Sequence, residues 1–194
     1  MMDGSRGEGE KKVNLALQGG GAHGAFTWGV LDRLLEDGRI AFDGISGTSA
    51  GAMNAVVLCE GFLRGGREGA REALHEFWEA VSEVGRYSPM QRTPLDVFMG
   101  NWSLDNSPTY LAFDLLSRLV SPYDLNPLGI NPLREVLDAQ VDFERVRACN
   151  QMKLYISATN VHTGRARVFR CPEITVDVTM ASACLPFLFR AVEI

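Results

Sequence analysis

Ser49 is the side chain whose surroundings best suit a nucleophile. It sits at the centre of Gly47-Thr48-Ser49-Ala50-Gly51, the G-x-S-x-G spacing of a serine on a sharp strand-to-helix turn. The spacing has a steric origin. Residues two before and two after such a serine approach so closely that side chains would collide, so both positions require glycine. Ser46 fails that test, because Gly44 precedes it by two positions but Thr48 follows it by two. Upstream lies a second turn, Gly19-Gly20-Gly21-Ala22-His23-Gly24. Backbone N–H groups of a glycine-rich turn beside a helix N-terminus can converge on the oxygen of a tetrahedral intermediate, where side chains would obstruct them. The two turns together point to acyl transfer. Ser49 is then the nucleophile and Gly19, Gly20 and Gly21 the oxyanion hole, with Gly24, Gly47, Ala50 and Gly51 shaping the turns around them.

The glycine cluster has a competing reading. Gly19-x-Gly21-x-x-Gly24 matches the dinucleotide-binding fingerprint, and Asp43 stands where a ribose ligand would be wanted. A dinucleotide domain has no use for a serine elbow at the end of its second strand, whereas acyl transfer needs both turns, so the hydrolase reading prevails. A phosphate-binding P-loop is excluded, since no Gly-Lys-Ser or Gly-Lys-Thr follows the cluster. A Ser-His-Asp triad would need a histidine after the elbow. The candidates are His75, in an amphipathic helix, and His162, in a turn, and a surface role is the expectation for each. A non-catalytic binding module is the remaining alternative.

The elements that carry these turns are legible from hydrophobic period. Val13 to Leu17 reads as a short buried strand ending at the glycine cluster, and Ala25 to Leu35 as a helix stopped at Asp37-Gly38. Ile40 to Ile45 gives a second strand, and Ala50 to Phe62 a helix that starts at the elbow. Residues 67 to 84 form an amphipathic helix with Leu74, Phe77, Trp78 and Val81 on one side. Asn131-Pro132 caps a helix running to Gln140. Lys153 to Thr159 alternates as a strand and turns through Val161-His162-Thr163-Gly164 into Ala166 to Phe169. Ile174 to Ala183 is a last helix closed by Pro186, and Leu188 to Ile194 starts another strand. The strand-helix alternation predicts an α/β fold, with a mostly parallel sheet whose ligands bind beyond the carboxyl ends of the strands.

Between Tyr87 and Asn131 the character changes. Five of the eight prolines fall there, interleaved with Phe98, Trp102, Tyr110, Phe113 and Tyr123. The 87–131 stretch is a candidate lid or cap insertion, with a short helix over Leu111 to Val120. A plain packed subdomain is the stronger expectation, although the aromatic content would suit a lipid surface.

A length of 194 residues with 46% hydrophobic composition fits one domain with a sizeable core. A net charge of -5 gives no electrostatic footprint for nucleic acid. Cys59, Cys149, Cys171 and Cys184 show neither a C-x-x-C pair nor zinc spacing, and read as reduced thiols. Residues 13 to 31 carry no formal charge, but five glycines with Asn14, Gln18 and His23 rule out a continuous apolar helix. The expectation is a cytoplasmic or peripheral protein. Residues 1–12 read as a disordered arm and 13–194 as the folded unit.

Leu15-Ala16-Leu17-Gln18-Gly19-Gly20-Gly21-Ala22-His23-Gly24, Gly44-Ile45-Ser46-Gly47-Thr48-Ser49-Ala50-Gly51 and Ala181-Ser182-Ala183-Cys184-Leu185-Pro186-Phe187 closely resemble the patatin-like phospholipases. The likeness runs from about Val13 to the end. It implies a three-layer α/β/α fold and a serine acyl hydrolase of the phospholipase A, lysophospholipase or esterase type. The substrate would be a phospholipid or other acyl lipid, met at a membrane or micelle surface without metal or cofactor. By matching positions, Ser49 is the nucleophile and Gly19 to Gly21 the oxyanion turn. His23 stands where many members have Arg or Lys. The family's base is an Asp in an Asp-Gly-Gly or Asp-Gly-Ala turn downstream of the Ala-Ser-Ala-x-x-Pro segment, and this chain ends before one. Asp43-Gly44 is followed by Ile45, and Asp177 lies within a helix, so neither takes the role. The expectation is a partial copy of a larger catalytic domain, with the base beyond Ile194 and little activity in the isolated chain.

Overall fold

The structure, a computed structural model, describes residues 11–86, 93–100, 107–108, 111–112, 120–126, 129–186 and 188–194. Its frame is a four-stranded sheet in the order β1 (Lys11–Leu17), β2 (Ile40–Gly47), β3 (Lys153–Thr159), β4 (Ala166–Arg170). β1, β2 and β3 run parallel and β4 returns antiparallel to β3, so the mostly parallel α/β arrangement is present. Ile45, Leu154 and Ile156 are fully buried in the two central strands. β1 departs from the expected buried strand: among the described residues it pairs on one side only, and its residues alternate between exposed and half-buried. It also starts at Lys11, whose N–H donates to Arg39 O at 3.1 Å, so Lys11 and Lys12 belong to the sheet rather than to the arm.

α1 (Gly24–Asp37) follows the first glycine turn and stops where Gly38 takes a left-handed φ of 75°. α2 (Ala50–Arg86) begins at the elbow and is broken at Gly65 and Gly66, where φ is -149° and 63°. These are the two helices expected over Ala50–Phe62 and 67–84. Every residue from Ala50 to Gly61 is buried: most are apolar or small, and the two exceptions are paired, Asn54 through its carboxamide and Glu60 with Arg145 at 2.6 Å. After the break the chain doubles back: a Cβ placed on Gly61 would lie 2.4 Å from Gly69 O and 2.6 Å from Ala73 Cβ. Phe77 and Trp78 on the returning half enter the core.

The remaining described helices are α3 (Pro94–Phe98), α4 (Pro122–Leu125), α5 (Pro132–Gln140), α6 (Phe143–Arg147) and α7 (Val176–Ser182). Asn131 Oδ1 accepts the Leu133 N–H at 3.2 Å, with Pro132 in the first turn, as expected of that start. α6 has no counterpart in the sequence expectation. It is too short to show a period, and only the Asp142 cap, accepting from Arg145 N at 3.1 Å, marks it. Much of the candidate lid, and most of the helix expected over Leu111 to Val120, lies outside the described residues. No strand forms over Leu188 to Ile194, contrary to expectation. A strand needs a ladder partner; here the Cys184 thiol donates to Arg190 O at 3.2 Å and Arg190 Nη2 to Tyr123 O at 3.0 Å. Among the described residues no helix is long and apolar enough to cross a membrane.

Candidate active site

The sequence places a non-glycine residue where the backbone must turn sharply from β2 into α2, and the conformation records it. Ser49 has φ 56°, the only positive φ outside glycine among the described residues. Such a conformation costs roughly 1–3 kcal/mol for a non-glycine residue and persists only where the surroundings over-determine it. Several contacts do so here. A Cβ on Gly51 would fall 2.1 Å from Leu17 O, and one on Gly47 2.4 Å from Gly51 O, so the turn packs backbone on backbone and excludes side chains at both positions. Ser49 O accepts from Ala52 N at 2.9 Å and Met53 N at 3.1 Å, which makes Ser49 the head of α2. The Ser49 N–H donates to Ser182 Oγ at 2.9 Å. The half-buried Ser49 hydroxyl takes no hydrogen bond among the described residues. It stands at the positive end of the α2 dipole.

The glycine turn lies against this elbow. A Cβ on Gly19 would meet Ser49 Cβ and Thr48 O at 3.0 Å each, so Gly19 is the member of the cluster in direct contact with the serine. Gly20 (φ 156°) and Gly21 (φ 56°) adopt backbone that favours glycine, although a Cβ on Gly21 would meet nothing within 4 Å. His23 closes the turn: its backbone N–H donates to Gly20 O at 3.1 Å, and its Nδ1 lies 3.1 Å from the same oxygen. His23 is therefore committed to the turn's own backbone.

A residue that sequence reasoning missed joins the two turns. Asn54, fully buried one turn into α2, donates from Nδ2 to Gly24 O at 3.0 Å and accepts the Trp78 indole N–H on Oδ1 at 2.8 Å. The indole can only donate, which fixes the amide orientation and leaves the NH₂ facing the carbonyl. The Trp78 ring also sits beneath the turn, since a Cβ on Gly24 would be 2.7 Å from its Cζ2 and 2.8 Å from Ala50 Cβ. The available signal was a lone carboxamide in the otherwise apolar run Ala50 to Cys59.

Asp43, His75 and Asp177 are dispersed, while His162 lines the cavity that opens beside the elbow. Asp43 pairs with Lys153 at 3.0 Å in the middle of β2, four residues or about 13 Å short of the Gly47 end where a ribose ligand belongs. The Lys153 ammonium holds the Asp43 carboxyl below its ordinary range. His75 is exposed and packs edge-on against the Trp28 ring at 5.8 Å. His162 lies in the exposed β3–β4 turn, where its backbone N–H donates to Asn160 Oδ1 at 3.0 Å. Asp177 is gripped by Arg134 at 2.6 Å. Neither histidine nor any carboxylate is bonded to Ser49 among the described residues.

A cavity of about 930 Å³ opens beside the elbow, within the size range of ligand pockets. Thr48, Ser157 and Ser182 give it a hydroxyl-bearing end, with Thr48 Oγ1 and Ser157 Oγ 2.7 Å apart, while Val161, Phe169 and Val192 supply apolar wall. Away from it, the Cys149 thiol donates to Met152 O at 3.5 Å. The neighbouring Cys59 draws Cys149 below the ordinary thiol range, while Cys149 and burial push Cys59 up.

The profile described as Patatin-like phospholipase matches residues 15–194. A curated relative, the cGAMP-activated phospholipase of Escherichia coli (strain TW11681), is 28% identical over 90% of this chain and 46% of its own length. The chain thus spans about half of that relative. Among solved structures, VipD from Legionella pneumophila aligns at 16% identity over 94% of this chain and 43% of its own, with a TM-score of 0.45. The ExoU-SpcU complex of the type III secretion system of Pseudomonas aeruginosa aligns at 19% identity over 90% of this chain and 36% of its own, with a TM-score of 0.38.

Proposed function

This chain belongs to the patatin-like phospholipase family, and on that premise we propose that it forms the nucleophile-bearing part of a serine acyl hydrolase acting on lipid esters. Ser49 attacks the ester carbonyl, and the amides of Gly19, Gly20 and Gly21 hold the developing oxyanion. Phospholipids or lysophospholipids are the proposed substrates, engaged at a membrane or micelle surface. The observation that carries the reading is the strained φ of Ser49 at the head of α2 with the Cα of Gly19 packed against it. The hydroxyl-lined end of the adjoining cavity suits the polar ester region of a lipid and its apolar wall suits an acyl chain.

An unassisted serine is a weak nucleophile, so turnover requires a carboxylate base brought to Ser49. The test therefore uses the intact gene product, with a fluorophosphonate probe and a short-chain p-nitrophenyl ester. The relative from Escherichia coli is named as activated by cGAMP, and the assay is run with and without that nucleotide. We expect labelling at Ser49, and loss of turnover by about 10⁴-fold or more in Ser49→Ala without a change in melting temperature. Undiminished turnover in that variant would refute the assignment. A triad reading predicts instead that His162→Ala removes activity. A non-catalytic lipid-binding module predicts no covalent labelling at all.

A further inference from the structure

Ser182 belongs to the Ala181-Ser182-Ala183-Cys184-Leu185-Pro186 segment, which the reaction described so far leaves without a role. Its Oγ accepts the Ser49 N–H at 2.9 Å, a contact that spans 133 positions of sequence. The Ser49 carbonyl is already held from the other side by the Ala52 and Met53 amides. Its N–H precedes the first turn of α2, so no helical carbonyl can take it. Without an acceptor, the Thr48–Ser49 peptide could rotate toward an unstrained conformation and swing the Ser49 side chain with it. Ser182 supplies that acceptor. The helix that carries it is itself fixed: Val178, Thr179 and Met180 of α7 are buried, Thr175 Oγ1 accepts the Val178 N–H at 3.2 Å, and Arg134 grips Asp177.

We infer that Ser182 is a positioning residue for the nucleophile: its hydroxyl holds the Ser49 peptide in the strained conformation from which Ser49 Oγ reaches the carbonyl carbon. The inference rests on the hydrolase reading. Ser182 acts through the backbone of Ser49 and takes no proton in the reaction. Its side chain is only half-buried at the cavity wall, so removing the oxygen should leave the fold largely untouched while loosening the elbow.

The experiment measures kcat, KM and melting temperature in the intact gene product for the wild type, Ser49→Ala, Ser182→Ala and Ser182→Thr. For Ser182→Ala we expect kcat to fall about 10- to 100-fold, the scale set by losing one orienting hydrogen bond and misplacing a reacting atom by up to an ångström. KM should stay within about threefold, since binding does not use this bond. Ser182→Thr, which restores an acceptor oxygen, should recover most of kcat. Should Ser182→Ala fail to fold, the threonine variant decides: a folded but inactive Ser182→Thr overturns the inference. It is equally overturned if Ser182→Ala keeps kcat within twofold while Ser49→Ala is inert, a result that leaves the hydrolase reading standing. Full turnover in Ser49→Ala, or none in the wild type, strikes at the hydrolase reading itself.

Discussion

Replacing Asn54 by alanine isolates the clamp that ties the glycine turn to α2. The side chain is fully buried and both of its hydrogen bonds end on groups that water does not reach: the Gly24 carbonyl and the indole N–H of Trp78, itself 8% exposed. Leaving a buried donor or acceptor unpaired costs about 1–3 kcal/mol, so two orphaned groups amount to about 2–6 kcal/mol. That is a large share of the roughly 5–15 kcal/mol by which domains are stable. In a domain of this size it corresponds to a fall in melting temperature of about 4–24 °C. Urea unfolding of wild type, Asn54→Ala, Trp78→Phe and the double variant measures it. Trp78→Phe orphans only Asn54 Oδ1 and should cost less, and the double variant should fall short of the sum by about 0.5–3 kcal/mol, because the two residues share a bond. An Asn54→Ala protein within 0.5 kcal/mol of wild type, or strict additivity in the cycle, would refute the clamp.

The glycines should separate into obligatory and dispensable. Gly51→Ala drives a Cβ to 2.1 Å from Leu17 O and should destabilise by about 3 kcal/mol or more, read as a loss of melting temperature. Gly29→Ala, in the exposed middle of α1 with nothing within 4 Å of the new methyl, should instead stabilise by about 0.5–1 kcal/mol in the same measurement. Cys149, drawn below the ordinary thiol range by Cys59 and only half-buried, should be the first of the four cysteines alkylated by iodoacetamide. Its rate should rise through a midpoint below the ordinary thiol range as the thiol loses its proton; a midpoint near 8.5 would contradict that lowering.

What the sequence made legible is what local chemistry dictates. The G-x-S-x-G spacing located a turn that cannot form otherwise, because Gly47 and Gly51 touch backbone where any Cβ would collide. The expected helices over Ala50–Phe62 and 67–84 leave between them the stretch where Gly65 and Gly66 break α2, and Asn131-Pro132 announced α5 through a cap that bonds within two residues. The contacts that assemble the site were hidden because they join distant positions: Asn54 with Trp78, Ser49 with Ser182. Nothing in the local pattern of either partner names the other. The single-sided pairing of β1 was likewise invisible, since an edge strand with one covered face and a buried strand can share the same short apolar run. The missing strand after Leu188 follows the same rule, as alternation supplies the face but not the neighbour.

The break at Gly65 and Gly66 sets a length rule for the whole site. Unbroken, a helix of 37 residues would run about 55 Å and carry its far half clear of the sheet. Folded back on the Gly61–Gly69 contact, the same segment delivers the serine at one end of its first arm and an indole floor for the glycine turn from its second. The two arms thus behave as a calliper. Adding or removing one residue between Gly61 and Trp78 would turn the indole by about 100° around its helix and pull it off Asn54, even with every other residue unchanged.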